Sequence, residues 1–128
     1  MPIYTEEQLN AITSTIIGCA IAVHRALGPG LLESVYHNAV ILECRSQSVP
    51  FETEKRLPVY YRDQLVGDFR LDLLIGGIVV VELKSTSNHN PLFEAQIINY
   101  IRIGKYPLGL LINFNHKRLK DGIQRFRL

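Results

Sequence analysis

The sequence predicts an α/β domain with a mixed central β-sheet flanked by helices. Two segments of helical periodicity open the chain, short alternating apolar segments follow from Val49 to Lys84, and a third helical pattern precedes a last apolar run, Leu108 to Phe114. Helices placed before and between strands cover both faces of a sheet.

The first helix is expected from about Glu6 to Leu27. Thr5-Glu6-Glu7-Gln8 is a capping-box pattern, and Leu9, Ile12, Ile16, Ala20, Val23 and Leu27 recur at helical spacing. Gly28-Pro29-Gly30 ends it. A second helix, from about Leu31 to Arg45, carries Leu32, Val35, Tyr36, Ala39 and Leu42 as its expected apolar side and stops at Ser46-Gln47-Ser48. Alternating segments then run Val49 to Arg56, Leu57 to Tyr61, Leu65 to Ile75 and Ile78 to Lys84. A polar turn at Arg62-Asp63-Gln64 and a two-glycine turn at Gly76-Gly77 interrupt them, which reads as a mostly antiparallel meander. Asn90 and Pro91 suit the N-cap and first turn of a helix from about Leu92 to Gly104. Strands at Leu108 to Phe114 and Ile123 to Leu128 complete the chain.

At 128 residues the chain makes one domain, 1–128, large enough to bury a core without disulfides or a structural metal. Cys19 and Cys44 fall within helical patterns with no Cys/His cluster, which predicts buried, reduced thiols and a cytoplasmic protein. The apolar stretches around Ile12 to Leu27 and Leu71 to Val81 are broken by His24, Arg25, Asp72 and glycines, and the amino terminus lacks a signal-peptide layout, so no membrane partner is expected. The net charge of +2 says little about a polyanionic partner. The end of the chain is more basic: Lys117, Arg118, Lys120, Arg125 and Arg127 stand against Asp121, as a phosphate contact or as a solvated surface.

Chemistry is concentrated where charges interrupt apolar strands. Glu82-Leu83-Lys84 ends the run Ile78-Val79-Val80-Val81, and Asp72 lies within Leu71-Asp72-Leu73-Leu74-Ile75. Side chains two apart in a strand share a face, so Glu82 and Lys84 emerge together while Leu83 points away. The hairpin at Gly76-Gly77 brings Asp72 beside Glu82. Two carboxylates and a lysine on neighbouring strands suggest a divalent-metal site for phosphodiester chemistry, with Asp72, Glu82 and the Leu83 carbonyl as oxygen ligands for Mg²⁺ or Mn²⁺. Lys84 then either activates water or, as an ammonium, stabilises the developing phosphorane charge. The structural alternative is a Glu82–Lys84 edge salt bridge with Asp72 at a bulge or strand end.

Gln96 and Tyr100, spaced i and i+4, share one face of the following helix. Glu33 stands near the start of the second helix, where a carboxylate also favours the helix dipole. His24 could approach the same site or simply end its helix as a satisfied histidine. Glu94 ranks below the main cluster, His89 and His116 are loop histidines without metal-ligand spacing, and Ser85, Thr86 and Ser87 could hydrogen-bond a phosphate.

Gly30-Leu31-Leu32-Glu33-Ser34-Val35-Tyr36 matches the signature of the GxxExxY proteins, and Val23-His24-Arg25-Ala26-Leu27-Gly28-Pro29-Gly30 resembles the lead-in usual in that group. The group belongs to the PD-(D/E)XK nuclease superfamily. Gln96-Ile97-Ile98-Asn99-Tyr100 resembles the Q-x-x-x-Y motif of RecB-like exonuclease branches. This resemblance implies a restriction-endonuclease-like core in which a helix supplies Glu33, the strands supply the metal-binding Asp72 and Glu82 with Lys84, and Gln96 with Tyr100 helps place the DNA and the site. Glu33 would complete or water-bridge the metal shell.

The expected function is therefore a Mg²⁺- or Mn²⁺-dependent nuclease acting on nucleic acid, DNA ahead of RNA, working alone, as a homo-oligomer or within a larger complex. A bare core fits general, end-directed or structure-directed cleavage. The alternatives are a nucleic-acid-binding or assembly module that keeps the fold with little chemistry, and a non-nuclease domain with a buried ion-pair network.

Overall fold

The computed structural model describes residues 3–127. Helices α1 (Glu6–Leu27) and α2 (Glu33–Ser46) precede β1 (Phe51–Tyr61), β2 (Gln64–Ile75) and β3 (Val79–Lys84). Helix α3 (Pro91–Gly104), β4 (Leu108–Asn113), a 3-10 turn (Leu119–Gly122) and β5 (Ile123–Arg127) follow. The strands lie in the order β1-β2-β3-β4-β5. β1, β2 and β3 form the expected antiparallel meander, α3 crosses over to place β4 parallel to β3, and β5 returns antiparallel to β4. The mixed α/β sheet read from the sequence is the observed one.

The capping box forms as expected: the Gln8 N–H donates to Thr5 Oγ1 at 3.1 Å and the Thr5 N–H to Gln8 Oε1 at 2.9 Å. By length and composition α1 could also cross a membrane. In this fold Leu9, Ile16, Cys19, Ala20 and Val23 of α1 are core residues. The stripe of α2 differs from expectation. Leu32, Val35 and Leu42 are exposed, and Tyr36, Val40 and Cys44 are buried. The i, i+4, i+8 row wins because α2 carries apolar residues on more than one side, and Tyr36 selects which side faces the sheet. Helix α2 also starts at Glu33, two residues later than predicted.

The two segments expected at Val49 to Arg56 and Leu57 to Tyr61 are one strand, β1. Strand β4 stops one residue short of Phe114, and Leu128 lies outside the described residues. Gly76 and Gly77 both have positive φ (61° and 72°), and the Ile78 N–H closes their turn onto the Ile75 carbonyl at 3.0 Å.

Helices α1 and α2 cover one face of the sheet and α3 the other. Val79, Val81 and Leu83 of β3 join the α1/α2 cluster with Leu108, Leu110 and Ile112 of β4. Val80 packs in the α3 cluster with Leu57, Leu74, Ile97, Ile101 and Leu111. Alternation along β3 therefore sends Glu82 and Lys84 to the α3 face. Each fully buried aliphatic side chain contributes about 1.5–3 kcal/mol relative to exposure, so the alternation of β3 is held firmly. Strand β2 breaks its own alternation at Asp72: Leu71 belongs to the α3 cluster, yet Leu73, two residues on, belongs to the α1/α2 cluster. Opposite this slip the β1–β2 pairing passes from Thr53↔Leu73 to Lys55↔Leu71, and the skipped residue, Glu54, has φ 51°. The β2–β3 ladder ends at Leu73↔Val81. The chain thus departs from regular pairing on both sides of Asp72.

Candidate active site

Where that ladder ends, carboxylates take over from backbone carbonyls. The Asp72 N–H donates to Glu82 Oε2 at 2.9 Å, and the Leu83 N–H donates to Asp72 Oδ2 at 3.0 Å. Two bonds across the β2–β3 seam therefore hold the acids side by side. Every fully enclosed side-chain nitrogen and oxygen among the described residues has a partner, so the second oxygen of each carboxylate, which accepts no such bond, is not fully enclosed.

Electrostatics records the crowding. Burial, followed by the negative charge of Asp72, pushes the pKa of Glu82 up to about 8. Asp72 is also raised, chiefly by burial, with the Leu83 N–H and the charges of His37 and Lys84 opposing and that of Glu54 adding. Glu33 is raised by what burial it has, opposed by Lys84 and reinforced by Asp72, although its side chain is half exposed. Lys84 Nζ lies 4.0 Å from Glu33 Oε1 and 4.7 Å from the centre of the Phe93 ring, a cation–π contact.

Glu33 reaches this cluster through the turn before α2. Leu32 supplies no side-chain cap. Instead, the fully buried Tyr36 donates its hydroxyl to the Gly28 carbonyl and accepts the Leu31 N–H at 3.1 Å, while its ring stacks on Phe114 at 4.4 Å. Gly28 and Gly30 take positive φ (73° and 94°) to make the turn. The Ser85 hydroxyl donates to the Leu31 carbonyl and ties the turn to the end of β3. The tyrosine of the Gly30–Tyr36 motif thus shapes the turn, and the glutamate is presented by it.

On α3, Gln96 Nε2 donates to the Tyr100 hydroxyl at 2.7 Å. Burial raises the Tyr100 pKa, and the charges of Glu82 and Asp72 raise it further, which places this pair within electrostatic reach of the carboxylates. Asp72, Glu82, Lys84, Glu33 and Tyr100 with its partner Gln96 are thereby gathered around one end of β3. The Leu83 side chain is buried on the opposite face, as expected.

Other candidates lie elsewhere. His24 is buried, with Nε2 2.8 Å from the His116 carbonyl oxygen, so it is a satisfied core histidine. His89 pairs with Glu94, giving both a local partner. Thr86 is fixed against Asn113, its N–H donating to Asn113 Oδ1 at 3.1 Å. The basic end of the chain divides: Arg125 and Arg127 pair with Glu6, whereas Lys117, Arg118 and Lys120 are exposed.

Three residues near the site escaped the sequence reading. His37 Nε2 lies 3.2 Å from the Asp72 carbonyl oxygen; its spacing four after Glu33 on one helix was the available signal. Phe93, three before Gln96, supplies the ring under Lys84. Glu54 falls opposite Asp72 in the β1–β2 register, a position set by the long hairpin at Arg62-Asp63.

Among the described residues, no three His, Cys, Asp or Glu side chains are placed to hold a metal ion together. Two adjacent carboxylates, each with one oxygen that accepts no protein hydrogen bond, nevertheless suit a hard divalent cation that keeps several of its waters. The cation would also offset the burial and the repulsion from Asp72 that raise Glu82.

Comparison with curated proteins and with solved structures finds no match. The family model of the PD-(D/E)XK nuclease superfamily matches residues 10–126, a span that contains every residue of the cluster. The chain belongs to the PD-(D/E)XK nuclease superfamily.

Proposed function

We propose that this protein is a Mg²⁺- or Mn²⁺-dependent nuclease that hydrolyses phosphodiester bonds in DNA. The observation that carries the reading is the pair of backbone bonds, Asp72 N–H to Glu82 and Leu83 N–H to Asp72, which fixes a buried and a half-buried carboxylate next to each other near Lys84 at the end of β3. Outside a catalytic or ligand-binding context such an arrangement is costly, because it holds two acids with raised pKa values next to each other.

Asp72 and Glu82 would hold the cation, with the Leu83 carbonyl on the same strand edge as its N–H and Glu33 joining directly or through water. The cation supplies charge neutralisation at the phosphate and a nucleophilic water at neutral pH. Lys84, beside Glu33 and backed by the Phe93 ring, faces the phosphate as a fixed positive charge that opposes the negative charge developing on its oxygens. Gln96 and Tyr100 orient each other within electrostatic reach of the carboxylates. Asp72 is held at its carbonyl by His37 and at its carboxylate by Leu83, which keeps the ligand oxygens from relaxing apart.

The test is cleavage of linear, circular and single-stranded DNA with Mg²⁺, Mn²⁺ or EDTA, comparing wild type with Lys84→Ala and Glu82→Ala. Metal-dependent cleavage that disappears in both folded variants supports the nuclease. Loss of linear substrate alone identifies end-directed action. No cleavage under any condition refutes the enzyme in favour of a binding or assembly module.

A further inference from the structure

A cavity of about 160 Å³ opens beside the carboxylate cluster, between the ends of β3 and β4, the start of α3 and the turn leading into β5. It shares Lys84 and Phe93 with the cluster, so whatever fills it lies next to the proposed scissile phosphate. Its floor is rigid. Asn113 accepts the N–H groups of Thr86 and Asn115, each at 3.1 Å, and donates to the Thr86 carbonyl at 2.9 Å. A Cβ on Gly122 would collide with the Asn113 carbonyl oxygen, so only glycine lets the β5 turn approach this closely.

Much of the rest of the lining is neutral and polar. Ser87, Asn115 and Gln124 border the cavity, and none of their side chains makes a hydrogen bond among the described residues, where Asn115 contributes only its backbone N–H. Asp121, His116 and the Glu94-paired His89 also border it, so Lys84 is the single Lys or Arg of the lining, and that charge is already assigned to the scissile phosphate. Amides and a hydroxyl around an apolar base of Leu111 and Phe93 match the donor and acceptor edge of a heterocycle. In size, a cavity of roughly 150 Å³ accepts one benzene ring, so this one takes a single six-membered ring and no stacked pair.

Resting on the nuclease reading above, we infer that this cavity is a nucleoside subsite. It receives one pyrimidine base of a single strand, adjacent to the phosphate held at Lys84, and biases the enzyme toward strand ends or unpaired nucleotides. A base inside a duplex cannot enter without leaving its stack.

The probe is thymidine 5′-monophosphate, with thymidine and inorganic phosphate as separate arms, titrated in EDTA into the ¹⁵N-labelled protein while the side-chain amide signals of Asn115 and Gln124 are followed. Thymidine and its monophosphate should both shift those two signals, and phosphate alone should not. Gln124→Leu and Asn115→Leu should each weaken the monophosphate about tenfold with unchanged melting temperature, the loss of one or two hydrogen bonds, and deoxyguanosine monophosphate should bind less tightly than the thymidine nucleotide. Shifts with phosphate alone, equal purine binding or no effect of either variant overturn the subsite, even if Lys84-dependent cleavage is present. Nucleotide binding at these amides without cleavage of any DNA keeps the subsite and overturns the nuclease.

Discussion

Replacing Glu82 by Gln should make this protein more stable, by an amount that grows with pH. Burial and the charge of Asp72 raise the Glu82 pKa from the ordinary 4.5 to about 8, so between these values the folded state holds a proton that the unfolded chain releases. Stability from this group is therefore highest below pH 4.5, declines as pH rises through the folded value and is flat above it. At about 1.4 kcal/mol per unit the full loss is about 5 kcal/mol, of which about 3 kcal/mol has accrued by pH 7. The upward shifts of Asp72 and Glu33 act in the same direction. Glutamine keeps an oxygen for the Asp72 N–H and carries no charge, so its variant should match wild type near pH 4, exceed it by a few kcal/mol at pH 7 and show a shallower pH dependence. The chain has no tryptophan, so urea unfolding followed by far-ultraviolet circular dichroism at pH 5 to 9 is the suitable assay. A wild type equally stable at pH 5 and pH 9, or a glutamine variant with the same slope, refutes the reasoning.

Mg²⁺ should stabilise wild type more at pH 8 than at pH 6, because the cation must displace the Glu82 proton, and calorimetric titration should show proton release on binding. Tyr36→Phe should lose about 1–2 kcal/mol in urea unfolding, since the Gly28–Leu31 turn loses the bridge made by the buried Tyr36 hydroxyl, and should lower cleavage through a displaced Glu33. Gly109→Ala should cost about 1–3 kcal/mol, because a Cβ there would stand 3.0 Å from Ile97 and Ile101 and push α3 off β4; thermal melting checks it. Cys44, buried against Cys19 with its pKa pushed up to about 12, should resist a thiol reagent at pH 8 until denaturant is added.

Much of this arrangement was legible in local spacing. The capping box, the two-glycine hairpin and the Glu82–Lys84 periodicity each depend on residues close in sequence, and each appears at the expected residues. The pairing of Asp72 with Glu82 followed from the hairpin alone. Longer-range packing was less visible. In α2 the choice between the row containing Val35 and Leu42 and the row containing Val40 and Cys44 depends on the stack of Tyr36 against Phe114, a residue of the chain's far end. Asp72 was expected either as a metal ligand or at a bulge; it occupies an irregularity and also faces Glu82, because a slip in alternation turns its carboxylate along the sheet toward β3. The ion pairs of Arg125 and Arg127 with Glu6 join the two ends of the chain, which no window along the sequence can display.

The turn held by Tyr36 makes the cluster a composite of two separately anchored parts. Asp72, Glu82 and Lys84 are fixed by the central strands, whereas Glu33 depends on a hydroxyl bridge and on a serine at the end of β3. A fluctuation that lifts the start of α2 withdraws one acid and leaves the others in register. Heat inactivation would then begin below the temperature at which the sheet melts and would reverse on cooling, so catalysis would report the opening of one turn while the bulk of the protein remains folded.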